Sequence, residues 1–183
     1  MTIPLRRHPD ARGPAPLTVQ AEALRRGAGL LTLRYRLTGD LADASLPPPA
    51  PRAFTDGLWQ GTCLEAFVRA EGKEGYLELN FSPSTQWAAY RFERYREGMT
   101  RADELDAPAI EVLRGADGVE LLAQVDLGPA AGMAGAPWRV GLSAVVKDAG
   151  GGVAYWALGH PPGRPDFHHP DCFALELPAP DRS

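Results

Sequence analysis

Residues 138–147 read WRVGLSAVVK, and their side chains alternate in character. The members of the apolar set are Trp138, Val140, Leu142, Ala144 and Val146. The members of the other set, apart from Val145, are the small or polar residues Arg139, Gly141, Ser143 and Lys147. Successive side chains of a β-strand point to opposite faces, so a period of two over five repeats predicts a strand with one face in a core. We expect Val140, Leu142 and Val146 to be buried.

The same pattern extends in both directions along the chain. Residues 119–127 and 31–37 alternate in the same way. Further runs of strand length cover 17–24, 62–69, 76–81, 87–92, 109–114, 153–160 and 172–177. Turn-forming pairs separate several of them, among them Asp117-Gly118 and the glycines at 150–152. About ten short strands with turn-rich connections predict an all-β fold, a two-sheet antiparallel β-sandwich of jelly-roll type.

The chain of 183 residues is long enough for one domain with a core and short for two. We predict a single domain over 1–183 with loose termini at 1–15 and 178–183. A net charge of −4 disfavours nucleic acid and anionic membranes as partners, because phosphate binding needs a concentrated basic surface. The oligomeric state is left open.

The N-terminal sequence predicts the cellular compartment, and the compartment in turn predicts the redox state of the two cysteines. No apolar stretch follows Met1 as it does in a secretory signal, so we expect a cytoplasmic, bacterial protein. In that compartment Cys63 and Cys172, both in runs of strand length, are expected to be reduced thiols.

Polar and aromatic side chains recur on the central runs. By parity Glu65, Glu78, Asn80 and Arg91 can form one polar patch if their strands lie side by side. Trp59 in a loop and Trp87 at a strand start are candidate stacking surfaces, whereas Trp138 and Trp156 are expected in the core. Sugar sites combine an aromatic face with planar carboxylate, amide and guanidinium groups. The alternative is a cross-strand Glu–Arg pair on a solvated sheet face.

Several segments together are similar to a known superfamily. They read DGLWQGTCLEAF at 56–67, YLELNFSPS at 76–84, WAAYRF at 87–92, YWALGHPP at 155–162 and DFHHPD at 166–171. In this respect the chain resembles DOMON-like domains, near the family 9 carbohydrate-binding modules, and more closely their bacterial MurB-like branch. The resemblance implies a β-sandwich with a ligand-binding role, and sugars or haem as ligands of relatives.

Metal and haem sites are weaker hypotheses. His160, His168 and His169 are good ligand types, but their spacing matches no established zinc pattern, and vicinal histidines in an extended chain point in opposite directions. Met99 and Met133 are the methionines available for haem beyond Met1, and neither is in an apolar strand. We therefore expect no cofactor.

The prediction from sequence is a non-catalytic domain that binds a carbohydrate or another small polar ligand. Its ligand-binding residues are Trp59, Glu65, Glu78, Asn80, Trp87 and Arg91. Two alternatives remain open. One is a glycoside-processing enzyme using Glu65 and Glu78 as its carboxyl pair. The other is a scaffold or interaction domain that has lost its site.

Overall fold

The computed structural model describes residues 1–13 and 17–180, which form an antiparallel β-sandwich as predicted. The first sheet has five strands, in the order β1 (Ile3–Pro4), β3 (Leu17–Arg26), β4 (Leu30–Gly39), β10 (Gly118–Asp126) and β9 (Ala109–Gly115). The second sheet has eight strands. Seven follow the order β2 (Arg6–Arg7), β12 (Val153–Ala157), β11 (Trp138–Lys147), β5 (Cys63–Ala70), β6 (Tyr76–Phe81), β7 (Trp87–Phe92) and β8 (Thr100–Arg101). The eighth, β13 (Leu175–Leu177), pairs with β11.

The two sheets differ in how many of their faces are buried. In β3, β4 and β10 buried residues alternate with exposed or half-buried ones, so the five-stranded sheet has one face in the core and one in solvent. In β6 every residue is buried, and in β5 and β11 nearly every residue is. The eight-stranded sheet is therefore covered on both faces, by the other sheet on one side and by loops on the other.

The core between the sheets is built from the apolar set of each strand. Val140, Leu142 and Val146 are each at most 1% exposed, which confirms the prediction for β11. Trp138 and Trp156 are also buried in this core, as expected. Tyr35 reaches across from β4, and its hydroxyl donates a hydrogen bond of 2.5 Å to the Glu65 carbonyl.

Some predicted boundaries are wrong. Within the segment 1–15 that was expected to be loose, Ile3–Pro4 and Arg6–Arg7 form β1 and β2, which pair with β3 and β12. Cys172 lies in a 3₁₀ turn, Pro170–Cys172, because Pro170 favours a helical start and the His169 ring accepts the Asp171 N–H. Residues 14, 15 and 181–183 of the predicted loose termini, together with residue 16, lie outside the described residues.

Helices contribute little to the described chain. The 3₁₀ turns Leu58–Gln60 and Pro170–Cys172 are the helical elements in the described ranges, and neither has the length to cross a membrane. Both turns lie over the outer face of the eight-stranded sheet, where the candidate site is found.

Candidate functional site

The floor of the site comprises the outward-facing residues of three adjacent strands. Glu65 on β5 pairs with Asn80 on β6 and with Ser143 on β11, and Phe67 on β5 pairs with Glu78 on β6. Cross-strand partners project to the same face, so these side chains lie together on the face turned away from the core. The predicted grouping of Glu65, Glu78 and Asn80 is therefore present in the structure.

The polar groups of the floor are buried and bonded to one another. Glu65, Glu78, Asn80 and Ser143 are all at most 5% exposed. The Asn80 amide donates to Glu78 Oε1 at 2.8 Å, and the Ser143 hydroxyl donates to Glu65 Oε2 at 3.2 Å. The Cys63 thiol lies beside this group, 3.5 Å from Asn80 Oδ1.

A cavity of about 440 Å³ lies above this floor, within the size range of small-molecule sites. Aromatic side chains line much of it: Trp59, Phe67, Phe92, Tyr155 and Phe167. Glu65 and Glu78 face it from the floor, and Arg96, Met99, Val145, Pro165 and His168 complete the lining. We call this space the carboxylate cavity.

The loop at 160–173 covers part of the floor. Phe167 and Phe173 are buried against Phe67, with ring centroids 6.5 and 6.2 Å apart. A glycine at 141 allows this approach, because a Cβ there would stand 3.0 Å from the Cys172 carbonyl oxygen. The sequence thus leaves room on β11 for the loop to lie directly on the sheet.

A hairpin at 93–99 forms the opposite rim and contacts the covering loop. Arg96 binds Asp166 through two guanidinium nitrogens, at 3.2 and 2.7 Å, and the Tyr95 hydroxyl also bonds this carboxylate. Arg96 adopts a left-handed backbone conformation, with φ of 56°, which costs energy in a residue with a side chain. We call this set of three residues the rim contact.

A hydrogen-bonded chain links the hairpin to the covering loop through Tyr76. The Arg96 backbone N–H donates to the Tyr76 hydroxyl at 3.2 Å, and that hydroxyl lies 2.8 Å from His168 Nδ1. When the hydroxyl donates to Nδ1, the neutral imidazole carries its proton on Nε2. Nε2 lies 3.7 Å from Glu78 Oε2, beyond hydrogen-bond reach.

Burial shifts the pKa values of the groups around the cavity. It raises the pKa of Glu65 to about 8, with a smaller contribution from the neighbouring charge of Glu78 and opposition from the Ser143 hydrogen bond. Burial also raises the pKa of Glu78, opposed by Asn80 and Arg96. It lowers the pKa of His168 to about 4, aided by Arg96 and opposed by Asp166. At pH 7 Glu65 is therefore largely protonated and His168 neutral.

Two of the predicted ligand-binding residues lie on the other face of the sheet. The predicted alignment of Arg91 with Glu78 is wrong, because β7 pairs so that Tyr90 stands opposite Glu78 and Arg91 opposite Leu77. Arg91 forms an ion pair with Glu104 beside a separate groove of about 560 Å³. Trp87 is buried in the core against Phe54, at a centroid distance of 5.5 Å.

The register of β7 explains the error. Residues 82–86 connect Phe81 to its partner Trp87, and this connection sets the parity of β7 relative to β6. A shift of one residue moves every side chain of a strand to the opposite face. The sequence fixes which residues of β7 share a face but does not reveal which face that is.

Trp59 stands at the cavity wall. It is 36% exposed and packs edge to face on Tyr90 at 5.5 Å. The Tyr90 hydroxyl in turn bonds Asp56, which holds the segment before the 3₁₀ turn. An exposed indole supported in this way is a rigid surface for an incoming ligand.

The three histidines named as metal candidates are separated. His160 Nε2 bonds the Arg6 carbonyl at 2.8 Å, and His169 serves as the cap of the 3₁₀ turn, while only His168 lines the carboxylate cavity. Within 1–13 and 17–180, no three His, Cys, Asp or Glu side chains are grouped as metal ligands. Met99 lines the cavity, whereas Met133 is buried in the core.

Sequence reasoning missed much of the cavity lining. Phe92, Arg96, Tyr155 and Phe167 were not proposed as binding residues. One signal was available in Gly141 and Ser143, since small residues on the second face of a strongly apolar strand indicate that something packs there.

Comparisons of sequence alone find no relative: no family profile matches the chain, and no curated protein does. Comparisons of structure find proteins of similar fold. A candidate carbohydrate-binding protein of Bacteroides uniformis superposes with a TM-score of 0.68 at 16% identity, over 94% of this chain and 83% of that one.

Two further matches are structures of a family 9 carbohydrate-binding module of Caldicellulosiruptor kristjanssonii. The complex with glucose gives a TM-score of 0.53 at 12% identity, over 93% of this chain and 81% of that one. The complex with cellotriose gives 0.52 at 12% identity, over 98% and 83%. At these identities the similarity shows a shared fold, and the chain has the β-sandwich of carbohydrate-binding modules.

Proposed function

We propose that this chain is a non-catalytic carbohydrate-binding domain whose ligand occupies the carboxylate cavity. The observation that carries the proposal is the convergence of buried carboxyl groups from Glu65 and Glu78 under a wall of aromatic rings. Carboxyl groups bind sugar hydroxyls, and aromatic faces stack on the apolar side of a pyranose ring.

The fold supports the same proposal. Its solved neighbours include modules in complex with glucose and cellotriose. The finer assignment, to the DOMON-like superfamily and its MurB-like branch, is part of the proposal. It rests on the five segments 56–67, 76–84, 87–92, 155–162 and 166–171, each of which contributes a lining residue.

Titration calorimetry with glucose, cellotriose and a panel of mono- and disaccharides tests the proposal. Trp59→Ala and Glu78→Gln are expected to weaken binding by about 1–3 kcal/mol each, by removing a stacking surface and a charge-assisted hydrogen bond. Arg91→Ala is the matched control, because its side chain lies on the other face of the sheet. Binding that depends on Arg91 and not on Glu78 would refute the location.

A glycoside-processing enzyme is the second candidate function. It is favoured by the two buried carboxyl groups, whose raised pKa values suit one of them to act as a general acid. Incubation with nitrophenyl glycosides and oligosaccharides, followed by chromatography, separates the two. A binding domain leaves the sugars intact, whereas hydrolysis that is lost in Glu65→Gln would establish the enzyme.

A further inference from the structure

The carboxylate cavity contains acceptor atoms that no protein group uses. Ser143 bonds only Oε2 of Glu65, and Asn80 bonds only Oε1 of Glu78. Within the described residues no donor lies within hydrogen-bond distance of Glu65 Oε1 or Glu78 Oε2, and the nearest to the latter is His168 Nε2 at 3.7 Å. Both side chains are more than nine-tenths buried, so these oxygens face the cavity rather than bulk water.

No positively charged group of the described residues is free inside the cavity to stabilise the ionised forms of Glu65 and Glu78. Arg96 stands at the rim with its side chain 50% exposed, and it is already paired with Asp166. His168 is neutral, because burial and Arg96 hold its pKa at about 4. Ionising a buried carboxyl group without a counter-ion is costly, and for this reason burial raises the pKa of both groups; a cation that enters the cavity removes that cost.

The walls favour a cation as well. Trp59, Phe92, Tyr155 and Phe167 surround the space above the two carboxyl groups. The faces of aromatic rings carry negative electrostatic potential and attract ammonium groups, most strongly in sites shielded from water. Aromatic walls combined with carboxylates at the base form a site for an amine.

We propose that the ligand carries a positively charged amino group, which binds between Glu65 and Glu78 while the rest of the ligand contacts the aromatic walls. The inference rests on the proposed carbohydrate-binding function, and within it the ligand is an amino sugar with a free amine. A neutral sugar such as glucose, or a sugar with an acetylated amine, brings no positive charge that would stabilise the ionised carboxyl groups.

The number of protons released on binding is a measurement that tests this inference separately from the affinity. Glu65 is largely protonated at pH 7, and an ammonium group beside it favours the ionised form, so binding releases a proton to the buffer. The other charged or titratable groups that face this space are Glu78 on β6, Arg96 in the hairpin, His168 in the covering loop and Tyr155 on β12. Glu78 contributes to the release in the same direction as Glu65.

The experiment is calorimetry of the intact chain at pH 7 with glucosamine, glucose and N-acetylglucosamine. Each titration is repeated in phosphate and in HEPES, whose ionisation enthalpies differ and neither of which carries a primary amine that could compete for the site. We expect glucosamine to bind about tenfold more tightly than either neutral sugar, with an enthalpy that depends on the buffer. In the double variant Glu65→Gln/Glu78→Gln we expect both the preference for glucosamine and the buffer dependence of the enthalpy to vanish. The control variant Glu111→Gln, on the exposed edge strand β9, is expected to retain them.

The outcomes separate this inference from the proposed function. Equal affinity for glucose and glucosamine, or a preference for the acetylated sugar, overturns the amine and leaves carbohydrate binding intact. If no sugar binds but methylammonium changes the tryptophan fluorescence of the parent and not that of the double variant, the amine site stands and the carbohydrate proposal fails. If neither class binds, both are overturned. Circular dichroism of the double variant checks that it is folded.

Discussion

Glu65 is a carboxyl group placed where a carboxylate is unfavourable. The folded protein holds its pKa at about 8, mainly through burial, against 4.5 for the free side chain. Between those values the unfolded chain has released the proton and the folded chain has not, so rising pH progressively favours the unfolded state. The contribution of Glu65 to stability is present at low pH and is lost as the pH rises toward 8.

This sign leads to a prediction for Glu65→Gln. Between pH 6.5 and 8 the parent is expected to lose unfolding free energy with a slope on the order of 1 kcal/mol per pH unit, and the variant to show a flatter profile. The lower limit excludes His168, whose depressed pKa acts in the opposite direction at more acidic pH. Urea denaturation at several pH values measures the slope, with Glu111→Gln as the surface control. Parallel profiles for parent and variant would contradict the burial of an uncompensated carboxyl.

At the scale of a single element, β11 shows how one strand serves two environments. Its inner residues fill the core, while Ser143 and Val145 face the outer side of the sheet. Leu142→Ala is expected to cost about 2–5 kcal/mol of unfolding free energy, because it removes buried surface and leaves a cavity. Leu113→Ala on β9, where the side chain is 50% exposed, is expected to change stability by less than about 0.5 kcal/mol. Equal denaturation midpoints for the two variants would refute the assignment of the inner face.

The covering loop at 160–173 depends on the rim contact. Asp166 binds Arg96, Tyr95 and the His168 backbone N–H, so its replacement removes the polar bonds between loop and hairpin. Asp166→Ala is expected to speed amide hydrogen exchange at 160–173 while β5 and β6 stay protected. Asp103→Ala, which breaks the exposed pair with Arg101, is the control and is expected to leave the loop unchanged.

The elements differ in how far the sequence predicts them. Strands with one solvent face, such as β4 and β10, follow from alternation because burial itself alternates there. The floor strands β5 and β6 were placed correctly, and their parity groups Glu65, Glu78 and Asn80 correctly as well. β7 was placed on the wrong face, since register depends on the 82–86 connection and on pairing with distant residues.

The rest of the candidate site was not predictable from local pattern. Phe92 at the end of β7 and Arg96 in the hairpin after it meet Tyr155 on β12 and Phe167 in a proline-rich loop, about 60 to 75 residues further along the chain. Local periodicity in the sequence does not predict these contacts, because they depend on how distant segments of the chain cross the outer face of the sheet. The local signal for this packing was the pair of small residues Gly141 and Ser143 on the outer face of β11.

At the scale of the whole molecule, the reactivity of the two cysteines reports whether the covering loop shields the outer face of the eight-stranded sheet. Cys63 is buried on the floor beside Asn80, and Cys172 is buried in the covering loop with its thiol near the Gly159 and Asp166 carbonyls. Burial raises the pKa of the Cys63 thiol well above its ordinary value and that of Cys172 to about 12. Both thiols are thus free but shielded and weakly nucleophilic.

We therefore expect thiol titration with a chromogenic disulfide to detect two thiols per chain after denaturation. In the native protein the reaction is expected to be slower than that of an exposed cysteine by at least about tenfold. Rapid reaction of one thiol in the native state would show that the covering loop opens. Detection of none after denaturation would contradict the free cysteines.

The burial of both faces of β5 and β6 has a consequence for how such a domain diversifies. Glu65 and its outward neighbours alternate with Leu64 and Ala66, which fill the core, so an insertion of one residue would exchange the two sets. Descendants of this chain can therefore change the floor by point replacement but not by a change in strand length. The hairpin at 93–99 and the loop at 160–173 carry no such restriction, and inherited differences in ligand choice should accumulate there as insertions and deletions.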